Sequence, residues 1–135
     1  IDARQGTAEQ LPYADVAFDG VLLVATLCFI ADPRPAMKEF QRVIKPGGRL
    51  VIGMIPADSP WGQLYAEKGR KGHPFYSTAH FHTAPEVISL AENAEFRFVR
   101  ASSCLRNPPD APQAKTIEPR IAENAGFVCL GFSAE

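Results

Sequence analysis

The sequence predicts an open, mostly parallel α/β sheet, and three observations carry that prediction. FDGVLLVATLCFI, residues 18–30, is a nearly continuous apolar run whose first half fits a strand buried on both faces. In DPRPAMKEFQRVIKPGG, the residues Ala36, Met37, Phe40, Val43 and Ile44 recur every three to four positions and form one apolar helical stripe. RLVIGMIP, residues 49–56, is a second buried strand. Strand, helix and strand make a βαβ unit, whose crossover is right-handed in nearly all known cases.

Each element has its own justification. Asp32 can cap the first helix and Pro33 suits its first turn. Pro46 cannot continue that helix, and Gly47 or Gly48 can adopt the left-handed conformation that closes a helix end. DSPWGQLYAEKGRKG gives a short polar helix with Trp61, Leu64 and Tyr65 on one side. KGHPFYSTAHFH is irregular and aromatic, and residues 57–83 read as a lid or substrate insert. TAPEVISLAENAEF carries a capping box, Thr83 with Glu86, and helical spacing at Val87, Ile88, Leu90 and Ala91, so a helix is expected over 84–94. FRFVRASSCL (96–105) and GFVCLGFS (126–133) look like a closing antiparallel strand pair around a Pro-rich loop.

Composition narrows the function. At 135 residues, the chain is one domain or part of one. Fourteen Lys plus Arg balance fifteen Asp plus Glu, so no basic field favours nucleic acid or an anionic membrane. Cys28, Cys104 and Cys129 are odd in number and set in apolar surroundings, which reads as reduced thiols in a reducing, cytoplasmic compartment. No apolar run approaches the roughly 18 residues of a membrane span, and IDARQG resembles neither a signal nor a transit peptide. There is no internal repeat. Ile1 opens without Met in the middle of what reads as an apolar element, which suggests a missing beginning.

In order, GTAEQLPYADVAFDGVLLVATLCFIADP, EFQRVIKPGGRLVIGM and the terminal AGFVCLGFS resemble the second half of a class I S-adenosylmethionine-dependent methyltransferase, of the ubiquinone/menaquinone C-methyltransferase type. The match is close over residues 3–56 and extends to the rest only in layout. The resemblance implies a Rossmann-like sheet of order 3-2-1-4-5-7-6 with strand 7 antiparallel. This chain offers candidates for strands 3 to 7, with residues 1–5 as strand 3. Strands 1 and 2, with the glycine-rich loop and the acidic residue that hold the cofactor, would lie in on the order of 80 to 100 residues before Ile1. Residues 1–135 would then be a single partial methyltransferase domain.

The same resemblance places S-adenosylmethionine against Thr7, Ala8 and Glu9, which border the adenine with the Ala8 N–H aimed at a ring nitrogen. Val24, Ala25 and Thr26 pass under the sulfonium and ribose. Many relatives have Asp where Thr7 stands, which puts that side-chain contact in question. Glu9 taken alone reads more readily as a solvated loop carboxylate or a cap for the following turn. Leu27 to Ile30 line the wall toward the substrate, although Phe29 also reads as plain core and Thr26 as a turn residue. Phe29, Trp61, Tyr65 and Phe81 are the candidate substrate-lining side chains.

Methyl transfer needs in-line approach in a water-poor pocket, so no side chain has to be catalytic unless the nucleophile must lose a proton. His80, His82 and Tyr65 are the candidates for that task. His73, His80 and His82 cluster in the aromatic segment, but no acidic or cysteine partner has ligand spacing, so no metal is expected. Cys28 has no His-Asp constellation around it and reads as a buried strand-end thiol. KGRKG (68–72), Lys38 and Arg42 read as solvated surface. The expected partners are a small-molecule methyl acceptor and a second copy in a homodimer, with no nucleic acid and no membrane. Two rivals share the layout: a nicotinamide dehydrogenase, and a non-catalytic chain that completes its sheet with another protein.

Overall fold

The computed structural model describes all 135 residues. Four strands form one mixed sheet: β1 (Phe18–Val24), β2 (Ile44–Met54), β3 (Phe96–Cys104) and β4 (Phe127–Ala134). Their order is β1-β2-β4-β3, with β1 parallel to β2 and β4 antiparallel to both of its neighbours. This is the order expected for the last four strands of the seven, including the inserted antiparallel strand. Three helices complete the fold: α1 (Pro33–Val43), α2 (Pro60–Arg70) and α3 (Ala84–Glu92), with single 3-10 turns at Leu27–Phe29 and Tyr76–Thr78.

Local chemistry sets most boundaries. The Asp32 side chain accepts from the Arg34 N–H at 3.1 Å, and Pro33 occupies the first turn of α1. Thr83 and Glu86 form the reciprocal capping box at α3. One face of the sheet is covered by α1 and α3. Met37, Phe40 and Val43 of α1 and Val87 and Ala91 of α3 join Leu50, Ile52, Leu130 and Phe132 in a continuous core. Along β1, Leu23 points into that core, while Leu22 and Val24 on the opposite face remain 69% and 55% exposed. No helix is long and apolar enough to cross a membrane.

Two expectations are corrected. The first helix ends at Val43, not at the Pro-Gly-Gly joint, because Ile44 is already extended while its N–H closes the helix on Phe40. The joint lies inside β2. There the register steps from Phe18↔Ile44 to Gly20↔Arg49, so Lys45–Gly48 bulge out of the ladder, with Gly47 in the left-handed region at φ 75°. Residues 1–5 form no strand. They are exposed, and Arg4 bonds within the segment to Asp2 and across to the Pro12 carbonyl instead of entering a ladder. An extended segment with no strand beside it has no partner for its backbone groups, so hydropathy alone did not make it a strand.

Candidate functional site

The carboxyl ends of the parallel strands β1 and β2 are where an open α/β sheet opens a crevice to ligands. Here the backbone itself marks the place. Ala25, one residue past β1, is left-handed at φ 49°, a conformation that costs an alanine about 1 kcal/mol. Its N–H donates to the Gly53 carbonyl at 2.9 Å, so β2 holds the strained residue in place. The Thr26 hydroxyl donates back to the Val24 carbonyl at 2.9 Å, and the 3-10 turn Leu27–Phe29 follows.

The segment 80–82 crosses above these strand ends and is pinned on both sides. The His80 N–H donates to the Cys28 carbonyl at 2.6 Å, and the Ala57 N–H to the His82 carbonyl at 2.9 Å. Beneath it lies a small cavity of about 20 Å³, walled by Thr26, Cys28, Met54, Phe81, His82 and Val87. His82 Nε2 is buried with no hydrogen-bond partner. Burial pushes the His82 imidazole below its usual range, the neighbouring His80 adds to that, and Glu86 partly opposes it. The Cys28 thiol is pushed up by burial.

A second, more open cleft of about 310 Å³ runs along the free edge of β1, between that strand and the loop carrying Ala8, Leu11 and Tyr13. Thr26 lines both hollows. The loop is held from α1 by an ion pair. Glu39 accepts the Leu11 N–H at 2.8 Å and is bridged by Arg42 at 2.7 Å. Arg42 in turn donates to the Tyr13 carbonyl at 2.9 Å and to Asp15 at 2.6 Å. The Arg42 hydrogen bond, aided by the Leu11 N–H and opposed by burial, holds the Glu39 carboxyl down at about 2. Arg42 is therefore an anchor for the loop, not the solvated surface cation that its helix position suggested. The i,i+3 pairing of Glu39 with Arg42 was the one local signal for it.

The candidate residues separate into groups. Ala8 and Thr26 share the open cleft, Ala25 and Thr26 share the small cavity with Phe81 and His82, and Val24, Thr7 and Glu9 are exposed nearby in the chain. The Ala8 N–H donates to nothing within the protein. Phe29 is 47% exposed and does not line the cavity. Trp61 and Tyr65 do not line it either. Trp61 packs against Gly126 and donates from Nε1 to the Asn107 carbonyl, while Tyr65 stacks on Tyr76 with ring centroids 4.6 Å apart and lies 6.3 Å from Phe81. His80 is exposed, its ring centroid 5.1 Å from that of His82.

Comparison with known proteins agrees with this fold. A family model for a methyltransferase domain matches residues 1–52. An uncharacterized protein of Mycobacterium tuberculosis is 36% identical over 124 residues, which cover 90% of this chain and 44% of that protein. The ubiquinone/menaquinone biosynthesis C-methyltransferase of Haemophilus ducreyi is 32% identical over 134 residues, 98% of this chain and 46% of that enzyme. The crystal structure of a SAM-dependent methyltransferase from Thermotoga maritima superposes with a TM-score of 0.87 at 32% identity, covering 96% of this chain and 62% of that one. The chain thus spans about half the length of the curated relatives it matches. In its sequence matches and its fold together, the chain is similar to the class I S-adenosylmethionine-dependent methyltransferases.

Proposed function

We propose that the protein transfers a methyl group from S-adenosylmethionine to a small-molecule acceptor, with the cofactor in the open cleft and the acceptor approaching over the small cavity. The observation that carries this reading is Thr26, the residue common to both hollows, following the strained Ala25 at the end of β1. The residues fit the cofactor. The free Ala8 N–H is a donor for a ring nitrogen, and Val24, Ala25 and Thr26 are exposed at the end of β1. Thr7 and Glu9 flank that donor at the cleft's rim. Within the family, the cofactor supplies an electrophilic methyl group carried on a sulfonium.

The chain's own contribution is placement and exclusion of water. Met54, Phe81 and Val87 keep the cavity apolar, which strengthens every polar interaction made there. The pinned segment 80–82 forms the inner edge of a lid, residues 57–83, that closes over the acceptor. Holding two reactants in line supplies most of the acceleration such a transfer needs. The small-molecule acceptor follows the C-methyltransferase among the relatives.

Calorimetric titration of the full-length protein with S-adenosylhomocysteine tests the reading. Micromolar or tighter binding is expected. Thr26 is exposed, so Thr26→Trp should fill the junction of the two hollows and weaken that binding by about tenfold or more, with little change in thermal stability. Binding of NADH without binding of S-adenosylhomocysteine would replace this reading with the dehydrogenase one.

A further inference from the structure

We infer that Trp61 is a positioning residue: seated on the Pro-rich loop between β3 and β4, it sets where the segment 80–82 lies over the strand ends, so that this distant loop governs the opening of the small cavity. The inference goes beyond the methyl-transfer reading, because it concerns the wall of the cavity and holds for any ligand beneath it.

Little else holds the helix that carries Trp61. Gly62 is the one buried residue of α2, so the helix has no apolar stripe of its own in the core. Its start is tied to the end of β2 by Ser59, whose hydroxyl donates to the Pro56 carbonyl at 2.7 Å and accepts the Gly62 N–H at 3.0 Å. That anchor fixes a point, and a second is needed to fix a direction. Trp61 provides it. Its Nε1–H donates to the Asn107 carbonyl at 3.1 Å, and its indole lies so close on Gly126 that a Cβ there would stand 2.6 Å from Cγ and 2.7 Å from Nε1. Gly126 is not left-handed, so the indole, and not the backbone, requires a glycine at this position.

The seat is braced from several sides. Gln113 Nε2 donates to the Asn107, Pro108 and Ala111 carbonyls at 3.0, 2.9 and 3.1 Å, and its Oε1 accepts the Asn107 N–H at 3.2 Å. Glu118 is bridged by Arg106 at 2.9 Å and by Arg120 at 2.6 Å. Ser103, buried on β3, donates from its hydroxyl to the Arg120 carbonyl at 2.8 Å and accepts the Ala122 N–H at 3.1 Å. The Gly126 N–H closes the loop on the Leu105 carbonyl at 3.0 Å. The loop therefore stands fixed on the antiparallel strands and can serve as a reference for α2.

A chain of rings carries the position of the indole to the cavity. The centroids of Trp61 and Tyr65 are 6.2 Å apart, those of Tyr65 and Tyr76 4.6 Å, and those of Tyr65 and Phe81 6.3 Å with planes 22° apart. All lie within the range in which aromatic side chains attract one another. Phe81 is a wall of the small cavity, and the hydrogen bonds of His80 to Cys28 and of His82 to Ala57 stand on either side of it. Packed rings do not shift independently, so an indole displaced from Gly126 carries Tyr65 and Phe81 with it and loosens both pins.

Residue-resolved hydrogen exchange of the full-length protein, with no ligand added, tests the inference apart from methyl transfer. Gly126→Ala should unseat the indole and quicken exchange of the His80 N–H about tenfold, leaving the Ala25 N–H, which bonds to Gly53, at its wild-type rate. In a Trp61→Ala background, itself fast at His80, adding Gly126→Ala should change that rate by less than about twofold, because no indole remains to be displaced. Trp61→Phe keeps a ring and loses the Nε1–H, so it should quicken His80 by about threefold, and it carries the test if the alanine variants do not fold. A role confined to local structure would speed exchange at the Gly126 N–H and leave His80 unchanged. That result, in Gly126→Ala or in Trp61→Phe, would overturn the inference, as would a Gly126→Ala effect on His80 of equal size with and without the indole. S-adenosylhomocysteine binding, which decides the methyl-transfer reading, plays no part in this experiment.

Discussion

Gly47 in β2 and Ala25 just past β1 are left-handed residues at opposite ends of the β1–β2 pair, and the two are used in opposite ways. Near the amino end of β2 the residue is Gly47, where the conformation is unstrained and the space around it is open, while the next residue, Gly48, is crowded. A side chain on neighbouring Gly48 would meet the Asp19 carbonyl at 2.7 Å and the Lys45 carbonyl at 2.8 Å, and Lys45 closes the bulge with an ion pair to Asp19. At the carboxyl end the residue is Ala25, where the conformation is strained, and the surroundings are hollow: two cavities and a buried nitrogen without a partner. The glycine-rich joint is scaffold, whereas Ala25 carries its strain at the opening. A glycine pair read from sequence marks a backbone requirement, whereas an alanine held left-handed at a strand end marks a place the fold keeps at some expense.

The sharpest way to break this contrast is at the filled end. Gly48→Val should destabilise the protein by about 3 kcal/mol, seen as a large drop in thermal midpoint, because its new atoms meet backbone that cannot move aside. The fraction that remains folded should bind S-adenosylhomocysteine as tightly as wild type. A loss of affinity per folded molecule would mean that the joint does more than support the sheet.

A smaller effect is expected at the anchor of the loop that carries Ala8 and Leu11. Glu39→Gln should cost about 1–2 kcal/mol by removing charged hydrogen bonds to Arg42 and weakening the hold on Leu11. The pH dependence follows in sign. The Glu39 carboxyl lies at about 2 in the folded protein, below its ordinary 4.5, so its contribution is complete above about pH 4.5 and fades as pH falls toward 2. Denaturant titrations between pH 6 and pH 3 should show wild type losing its advantage over Glu39→Gln across that window. Parallel curves for the two proteins would remove Glu39 from the account of why the loop is ordered.

These residues show what sequence could and could not reveal. β1, α1 and α3 were legible because their signals are local: an apolar run, an Asp32 cap, a Thr83–Glu86 box. The place of β4 between β2 and β3 came from the resemblance, since periodicity says nothing about which strands become neighbours. The bulge was misread as a helix cap because Pro-Gly-Gly serves either geometry, and only pairing with β1 selects one. Arg42 escaped, and His82 stood only as one of three candidate bases, for the same reason. The roles of both depend on partners far away in sequence, Tyr13 and Asp15 for Arg42, and Cys28, Met54 and Ala57 for the His82 cavity. Phe29, Trp61 and Tyr65 suit a substrate wall by type, but none lines the small cavity: Trp61 bonds to the Pro-rich loop, Tyr65 packs on Tyr76 and Phe29 is exposed.

The smallest expected change in stability is the one that bears most directly on the open end. Ala25→Gly relieves a conformation that costs alanine about 1 kcal/mol, while it adds freedom to the unfolded chain worth about the same. The net change in stability should therefore stay within about 0.5 kcal/mol of zero. Its effect on the site should be larger, because glycine no longer restricts the turn from β1 into Thr26 to one geometry. S-adenosylhomocysteine affinity should fall by about three- to tenfold, and hydrogen exchange of the Ala25–Gly53 bond should quicken, with no matching change at Gly47. If affinity stays at the wild-type value while exchange at that bond accelerates, Ala25's strain is a property of the turn and has no part in holding the cofactor.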